Sequence, residues 1–154
     1  MNRVEVEARD YPPPSWSGAL EKYAVKILDE LQKDRWDLSV LLCGDKTIKE
    51  LNFQYRGKDE ATDVLSFELG EEDKHANRFL PGDIVISLDT LKENCEYFKI
   101  TEDEELRRLL IHGILHLSGM DHVSNESSDP MIQLQESILS KLKNEVILPE
   151  GKAK

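Results

Sequence analysis

Residues 101–122 read TEDEELRRLLIHGILHLSGMDH, and the rest of the chain is arranged around how this stretch folds. Thr101-Glu102-Asp103-Glu104 has the form of a capping box, in which the first side chain and the fourth satisfy each other's backbone N–H groups. Glu102 to Glu105 put four acids in the first turn, where the helix dipole favours negative charge. The helix that starts there should run to about Ser118 and stop at Gly119, the residue type best suited to a left-handed helix end.

Upstream, strand-like and helix-like patterns alternate. Residues 83–88 (DIVISL) predict a strand, preceded by the turn signal Pro81-Gly82 and followed by a helix from about Asp89 to Phe98. Residues 63–69 (DVLSFEL) are strand-like, and the polar stretch from Gly70 to Arg78 predicts a mobile loop. Thr47-Ile48-Lys49-Glu50 is a second capping-box pattern, so a short helix carrying Leu51 and Tyr55 should begin there. Residues 38–43 (LSVLLC) read as a buried strand. Leu20, Tyr23, Ala24, Ile27, Leu28 and Leu31 recur at helical spacing, on a helix capped by Ser15 or Ser17 and running to about Lys33. Residues 3–9 (RVEVEAR) alternate as a half-buried strand does, and Pro12 to Pro14 break the chain after it.

Downstream, Asp129-Pro130 marks the start of a last helix with Ile132, Ile138, Leu139 and Leu142 as its apolar face. The order β α β α β β α α α argues an α+β fold: one small, mostly four-stranded sheet packed with about five helices. Residues 1–150 should form a single domain, and residues 151–154 a frayed tail.

Charged residues make up 33% of the 154-residue chain and hydrophobic ones 39%, the balance of a soluble globular protein. No apolar run is long enough to span a bilayer, and the N-terminus shows no secretory signal, so a cytoplasmic location without membrane contact is expected. Cys43 and Cys95 have no partners at metal-binding spacing and should be reduced, small, apolar residues. The net charge of −11 opposes a whole-surface attraction to nucleic acid, so any RNA must be held in a local cleft.

Three of the four histidines, His112, His116 and His122, fall within eleven residues. His112 and His116 lie four apart on the predicted helix and share a face. The turn at Gly119 can bring His122 back to the same point. Three neutral imidazoles suit one divalent metal ion, zinc in the first instance, and leave a fourth position open. Nickel, copper and iron also accept such a set. A histidine on a helix face is ordinarily just hydrogen-bonded, but three in this frame point to a metal; His75, in the polar stretch, reads as an ordinary exposed residue. The spacing H-x3-H-x2-G-x2-H equals that of the metzincin proteases, which need a glutamate directly after the first histidine. That position is Gly113 here, which argues against peptide hydrolysis.

HGILHLSGMDH (112–122) resembles the HGxLHLxGxDH signature of the YbeY family of ribosomal RNA maturation endoribonucleases. The resemblance extends to LNFQYRGKDEATDVLSF (51–67) and GDIVIS (82–87), covering most of residues 50–122. It implies a metal-dependent, single-strand-specific RNase acting at the 3′ end of small-subunit ribosomal RNA and in ribosome quality control. It also implies a small α+β fold, the three histidines as ligands, and ribosomal RNA with the ribosome or its associated proteins as partners. The oligomeric state stays open.

Arg56 matches the family's functional arginine, and a guanidinium can hold two phosphate oxygens at once; from the chain alone, a surface pairing with Asp59 or Glu60 is the simpler reading. Arg56 and His116 are the expected catalytic residues. Asp121 can orient an imidazole or, the simpler reading, cap the turn after Gly119. Asp63 and Asp83 read as strand-start hydrogen-bonding residues, and Asn52 as bonding backbone near the cleft. Ser66 lacks a base to act as nucleophile, and Lys58 reads as a solvated loop lysine. No general base is evident, so water activated by the metal is the expected nucleophile, with the RNA 2′-hydroxyl as the other route. Two further readings remain: a zinc-dependent hydrolase of peptides, and a ribosome-assembly factor whose metal orders the turn.

Overall fold

A computed structural model describes residues 1–121 and 126–149. The elements follow the expected order: β1 (Arg3–Ala8), α1 (Ser17–Glu30), β2 (Asp37–Cys43), α2 (Asp45–Arg56), β3 (Val64–Asp73), β4 (Arg78–Ser87), α3 (Leu88–Phe98), α4 (Glu102–Leu117) and α5 (Pro130–Lys141). The strands form one four-stranded sheet in the order β1-β2-β4-β3. β1, β2 and β4 run parallel, joined by helical crossovers. β3 pairs antiparallel with β4 and forms an edge of the sheet. The class is α+β, as the pattern predicts.

Alternation along the strands divides the apolar side chains between two faces. Val40, Leu42, Ile84 and Ile86 point to one face, where they are buried with Leu20, Ala24 and Ile27 of α1 and Leu110 and Ile114 of α4. Each buried valine, leucine or isoleucine among them stabilises the fold by about 1.5–3 kcal/mol. Cys43, Leu65 and Val85 point to the other face, where Ile48 of α2 covers them in a smaller cluster. Helices on both faces therefore leave the β3 edge as the place where α2, β3 and α4 meet at the surface.

Helix ends follow local chemistry where a side chain can reach a backbone N–H. The Thr101 side chain accepts from the Glu104 N–H, and Asp129 accepts from the Met131 N–H ahead of Pro130. Gly119, at φ +97°, turns the chain after α4.

Four expectations are corrected. Thr47 does not cap α2; the helix starts at Asp45 after Gly44, and the Thr47 hydroxyl is turned to Asp10, 2.9 Å away. Neither Ser15 nor Ser17 caps α1, since Ser17 lies in its first turn and donates to the Pro14 carbonyl. Residues 70–78 are not a loop: β3 continues to Asp73 and β4 begins at Arg78, because Glu71, Glu72 and Asp73 pair with Leu80, Phe79 and Arg78. That hairpin overhangs the core, so its polar side chains gave no strand pattern. Arg78 anchors it, donating to Asp37 at 2.5 Å and to the Met1 and Trp36 carbonyls. Pro81-Gly82 is not a turn but lies inside β4, opposite the register shift between Glu68 and Glu71. Gly82 sits at φ +139°, and a Cβ there would meet the Phe67 carbonyl oxygen at 2.0 Å, so only glycine fits the close approach.

Among the described residues, no helix is long and apolar enough to cross a membrane. Cys43 and Cys95 are free and buried, as expected. The tail 151–154 lies outside the described residues.

Candidate active site

α4 carries His112 and His116 one turn apart on the face turned toward the β3 edge. Both rings are half-buried, with centroids 4.6 Å apart at 78° and their Nε2 atoms 3.1 Å apart. Two nitrogens bound to one zinc at about 2.0–2.1 Å and a near-tetrahedral angle stand about 3.3 Å apart. The donor pair therefore fits a single ion. His122, the third expected ligand, lies outside the described residues. Among the described residues, no group of three or more histidine, cysteine, aspartate or glutamate side chains is placed to hold a metal.

The outward nitrogen of each ring meets a different partner. His112 Nδ1 is 2.7 Å from Gln135 Oε1 on α5. His116 Nδ1 is 3.4 Å from an Asp121 carboxylate oxygen. Asp121 thus stands where a carboxylate can orient the His116 ring. Gln135 was not anticipated from the sequence. Its signal was present: it lies four residues after Met131 and three before Ile138, a polar residue inside the buried stripe of α5.

The histidines open onto a cleft of about 430 Å³ lined also by Arg56, Asp63, Ser66, Glu68 and Asp121. Arg56 is the last residue of α2 and is exposed, and it forms no ion pair with any described residue. Asp59, its expected surface partner, lies instead 3.9 Å from Lys49. The guanidinium is thus left facing the same cleft as the imidazoles. Asn52, buried behind it, donates to the Glu60 carbonyl at 3.0 Å and ties down the loop between Arg56 and Asp63. Asp63 accepts from Asn94 at 3.3 Å. Ser66 donates to the Gly113 carbonyl at 3.3 Å, which occupies its hydroxyl and fits a positional rather than a nucleophilic role.

Against Arg56 stand the carboxylates of Asp63, Glu68 and Asp121. The cleft is not uniformly negative, but on side chains alone it attracts a divalent cation more than a phosphate. Ser66 and Glu68 also line a neighbouring groove of about 670 Å³ beside Leu51 and Tyr55 of α2, on the sheet face that this helix covers in part. Tyr55 and Phe67, ring centroids 5.1 Å apart, form an aromatic wall there, with Tyr55 63% exposed.

The position after His112 has a physical account. Gly113 is buried against Ile84, and a Cβ there would lie 3.0–3.1 Å from three Ile84 side-chain atoms. The site that carries a glutamate in the metzincins is closed here by the sheet.

These features define an α+β protein with a paired-imidazole site at the edge of its sheet, facing a lone guanidinium across a polar cleft. The family model for endoribonuclease YbeY matches residues 6–143. The endoribonuclease YbeY of Treponema denticola is 46% identical over 147 residues, covering 93% of this chain and 95% of its own. That of Treponema pallidum (strain Nichols) is 46% identical over 143 residues, covering 91% and 89%. The solution structure of TM1509 from Thermotoga maritima superposes with a TM-score of 0.67 at 31% identity, covering 92% of this chain and 90% of that one. The chain belongs to the endoribonuclease YbeY family.

Proposed function

We propose that this protein is a metal-dependent, single-strand-specific endoribonuclease of ribosomal RNA maturation, acting at the 3′ end of small-subunit RNA and in ribosome quality control. The observation that supports the chemistry is the 3.1 Å approach of the two Nε2 atoms in a cleft that also holds Arg56. Membership of an endoribonuclease family supports RNA as the substrate.

His112, His116 and His122 would hold the ion, with zinc the best match to an all-imidazole set. When bound, such an ion supplies Lewis acidity toward a phosphoryl oxygen or water. Arg56 binds the scissile phosphate and opposes the charge that grows on its non-bridging oxygens. Tyr55 offers a ring face on which an unpaired base can stack. Bases of a duplex are already stacked on each other, so this wall favours a single strand. The neighbouring groove sets Glu5, Glu7, Glu68 and Asp83 against Arg9, so its lining is acidic on balance and favours phosphate binding at Arg56 and the ion.

The test pairs metal analysis with RNA cleavage. One equivalent of divalent metal per chain is expected, with cleavage of single-stranded RNA lost to a chelator and restored by zinc. Cleavage that survives complete metal removal would overturn the reading, as would equal cutting of duplex RNA. Product ends decide the nucleophile, since a 2′,3′-cyclic phosphate excludes direct attack by water. The assembly-factor reading, in which the metal only orders the turn, fails if His116→Ala abolishes RNA cleavage while the fold and ribosome association persist. Peptide hydrolysis is disfavoured by Ile84 filling the space beside Gly113.

A further inference from the structure

Four side chains from α4 and α5 form a continuous hydrogen-bonded chain that ends on His112. Arg108, one turn before His112 on α4, donates from Nε to Glu136 Oε2 at 2.9 Å and from Nη2 to Glu136 Oε1 at 3.1 Å. This two-point contact fixes the plane of the Glu136 carboxylate. Gln135 Nε2 donates to Glu136 Oε2 at 3.0 Å. Its Oε1 lies 2.7 Å from His112 Nδ1. Gln135 is only 6% exposed, so little water is available to replace either bond.

The order of donors along this chain has one consistent solution. A carboxylate paired with arginine can only accept, so the NH₂ end of Gln135 must face Glu136. The carbonyl end must then face His112, and a carbonyl can only accept. His112 therefore carries its proton on Nδ1, which leaves Nε2 as a lone pair in the neutral ring. That lone pair is the one directed at His116 Nε2, 3.1 Å away.

We propose that Gln135, oriented by the Arg108–Glu136 pair, is the positioning residue that sets the Nδ1–H tautomer of His112 and aims its Nε2 lone pair into the cleft. This rests on the cation-binding part of the function proposed above and adds to it a second element, α5, whose docking on α4 prepares the ligand. The relay also gives α5 a role that its apolar face does not require. A leucine at position 135 would continue the buried stripe, whereas glutamine there is explained by the imidazole it faces.

The test reads the tautomer directly in metal-free protein, by imidazole ¹⁵N correlation spectra at about pH 8.5, above the ordinary imidazole value of about 6.5. Wild-type His112 should show Nδ1–H. Gln135→Met, close in size but without the carbonyl, should lose that signature and bind zinc roughly 10–100-fold more weakly in a calorimetric titration. Glu136→Ala removes the acceptor that fixes the amide and should let both tautomers of His112 appear. Wild-type His112 protonated on Nε2 would overturn the proposal. So would a folded Gln135→Met variant with tautomer and zinc affinity unchanged. If Gln135→Met does not fold, the wild-type and Glu136→Ala spectra decide the matter. Since these readouts need no RNA, a protein with the expected tautomer and zinc affinity that cuts no RNA would count against the endoribonuclease reading and leave the relay standing.

Discussion

Gly113 of α4 rests directly on Ile84 of β4, close enough that a single added carbon would stand 3.0 Å from the isoleucine Cδ1. The contact lets the helix bearing His112 and His116 settle onto the sheet and bring both rings to the β3 edge. Ile84 is fully buried, so it has little room to retreat. Gly113→Ala should lower stability by about 1–2 kcal/mol, the cost of overpacking exceeding the better helix propensity of alanine. Urea unfolding would measure this, and a variant as stable as the parent would show that the helix can lift without cost.

The acidic lining of the cleft makes RNA binding itself dependent on the cation. With Asp63, Glu68 and Asp121 facing Arg56, metal-free protein should bind single-stranded RNA at least about 10-fold more weakly than metal-loaded protein. Fluorescence anisotropy at fixed salt, before and after dialysis against a chelator, would check it. Equal affinity in both states would place the RNA elsewhere on the surface.

Arg56 stands free of the described carboxylates, so its loss should affect substrate and not the fold. Arg56→Ala should reduce RNA cleavage by about 10²–10³-fold with unfolding unchanged. Arg56→Lys should recover only part, because an ammonium cannot make the two-point contact. Full activity in Arg56→Lys would reduce the residue to a point charge.

The Arg108–Glu136 pair should leave a mark on acid stability. Burial pushes the Glu136 carboxyl up, but the bonds from Arg108 and Gln135 outweigh it and hold the group below its ordinary value of 4.5. A carboxyl lowered in the folded state stabilises above the unfolded value, and that contribution is lost as pH falls through the lowered one. At 44% side-chain exposure, solvent screening keeps it to about 1 kcal/mol or less. Glu136→Gln should therefore be less stable than the parent at about pH 6, with the gap closing as pH falls below the ordinary carboxyl value of 4.5. A gap that stays constant across that range would show that the pair does not titrate as described.

Both thiols should be inert in the folded protein. Burial pushes Cys43 up to about 12 and Cys95 up to about 11, so almost no thiolate is present near neutral pH. A thiol-specific reagent should label neither until denaturant is added, and then both. Rapid labelling of the native chain would contradict the buried placement.

Much of this was legible from short-range patterns. The Thr101 cap, the Asp129-Pro130 start and the glycine after α4 are local chemistry and were legible, though only the Thr101 half of the capping box forms. So was the i, i+4 placement of His112 and His116, because a helix puts those residues on one face whatever surrounds it. The hairpin through residues 70–78 was not legible, since its ladder bonds are backbone to backbone and its side chains are polar on both faces. Thr47 looked like a cap because its sequence has the right form, but the Asp10 carboxylate, 37 residues away in the chain, captures its hydroxyl.

The amino-acid order alone determined the sequence of strands and helices, the class of fold and the pairing of two imidazoles, because each depends on repeats of two, three or four residues along one backbone. Tertiary structure alone decided that Gln135 meets His112, that Ile84 closes the space beside Gly113, and that Arg56 shares a cleft with the histidines. These contacts join elements 23 or more residues apart. They exist only because burial of the two sheet faces forces α2, α4 and α5 into place around the free edge of β3.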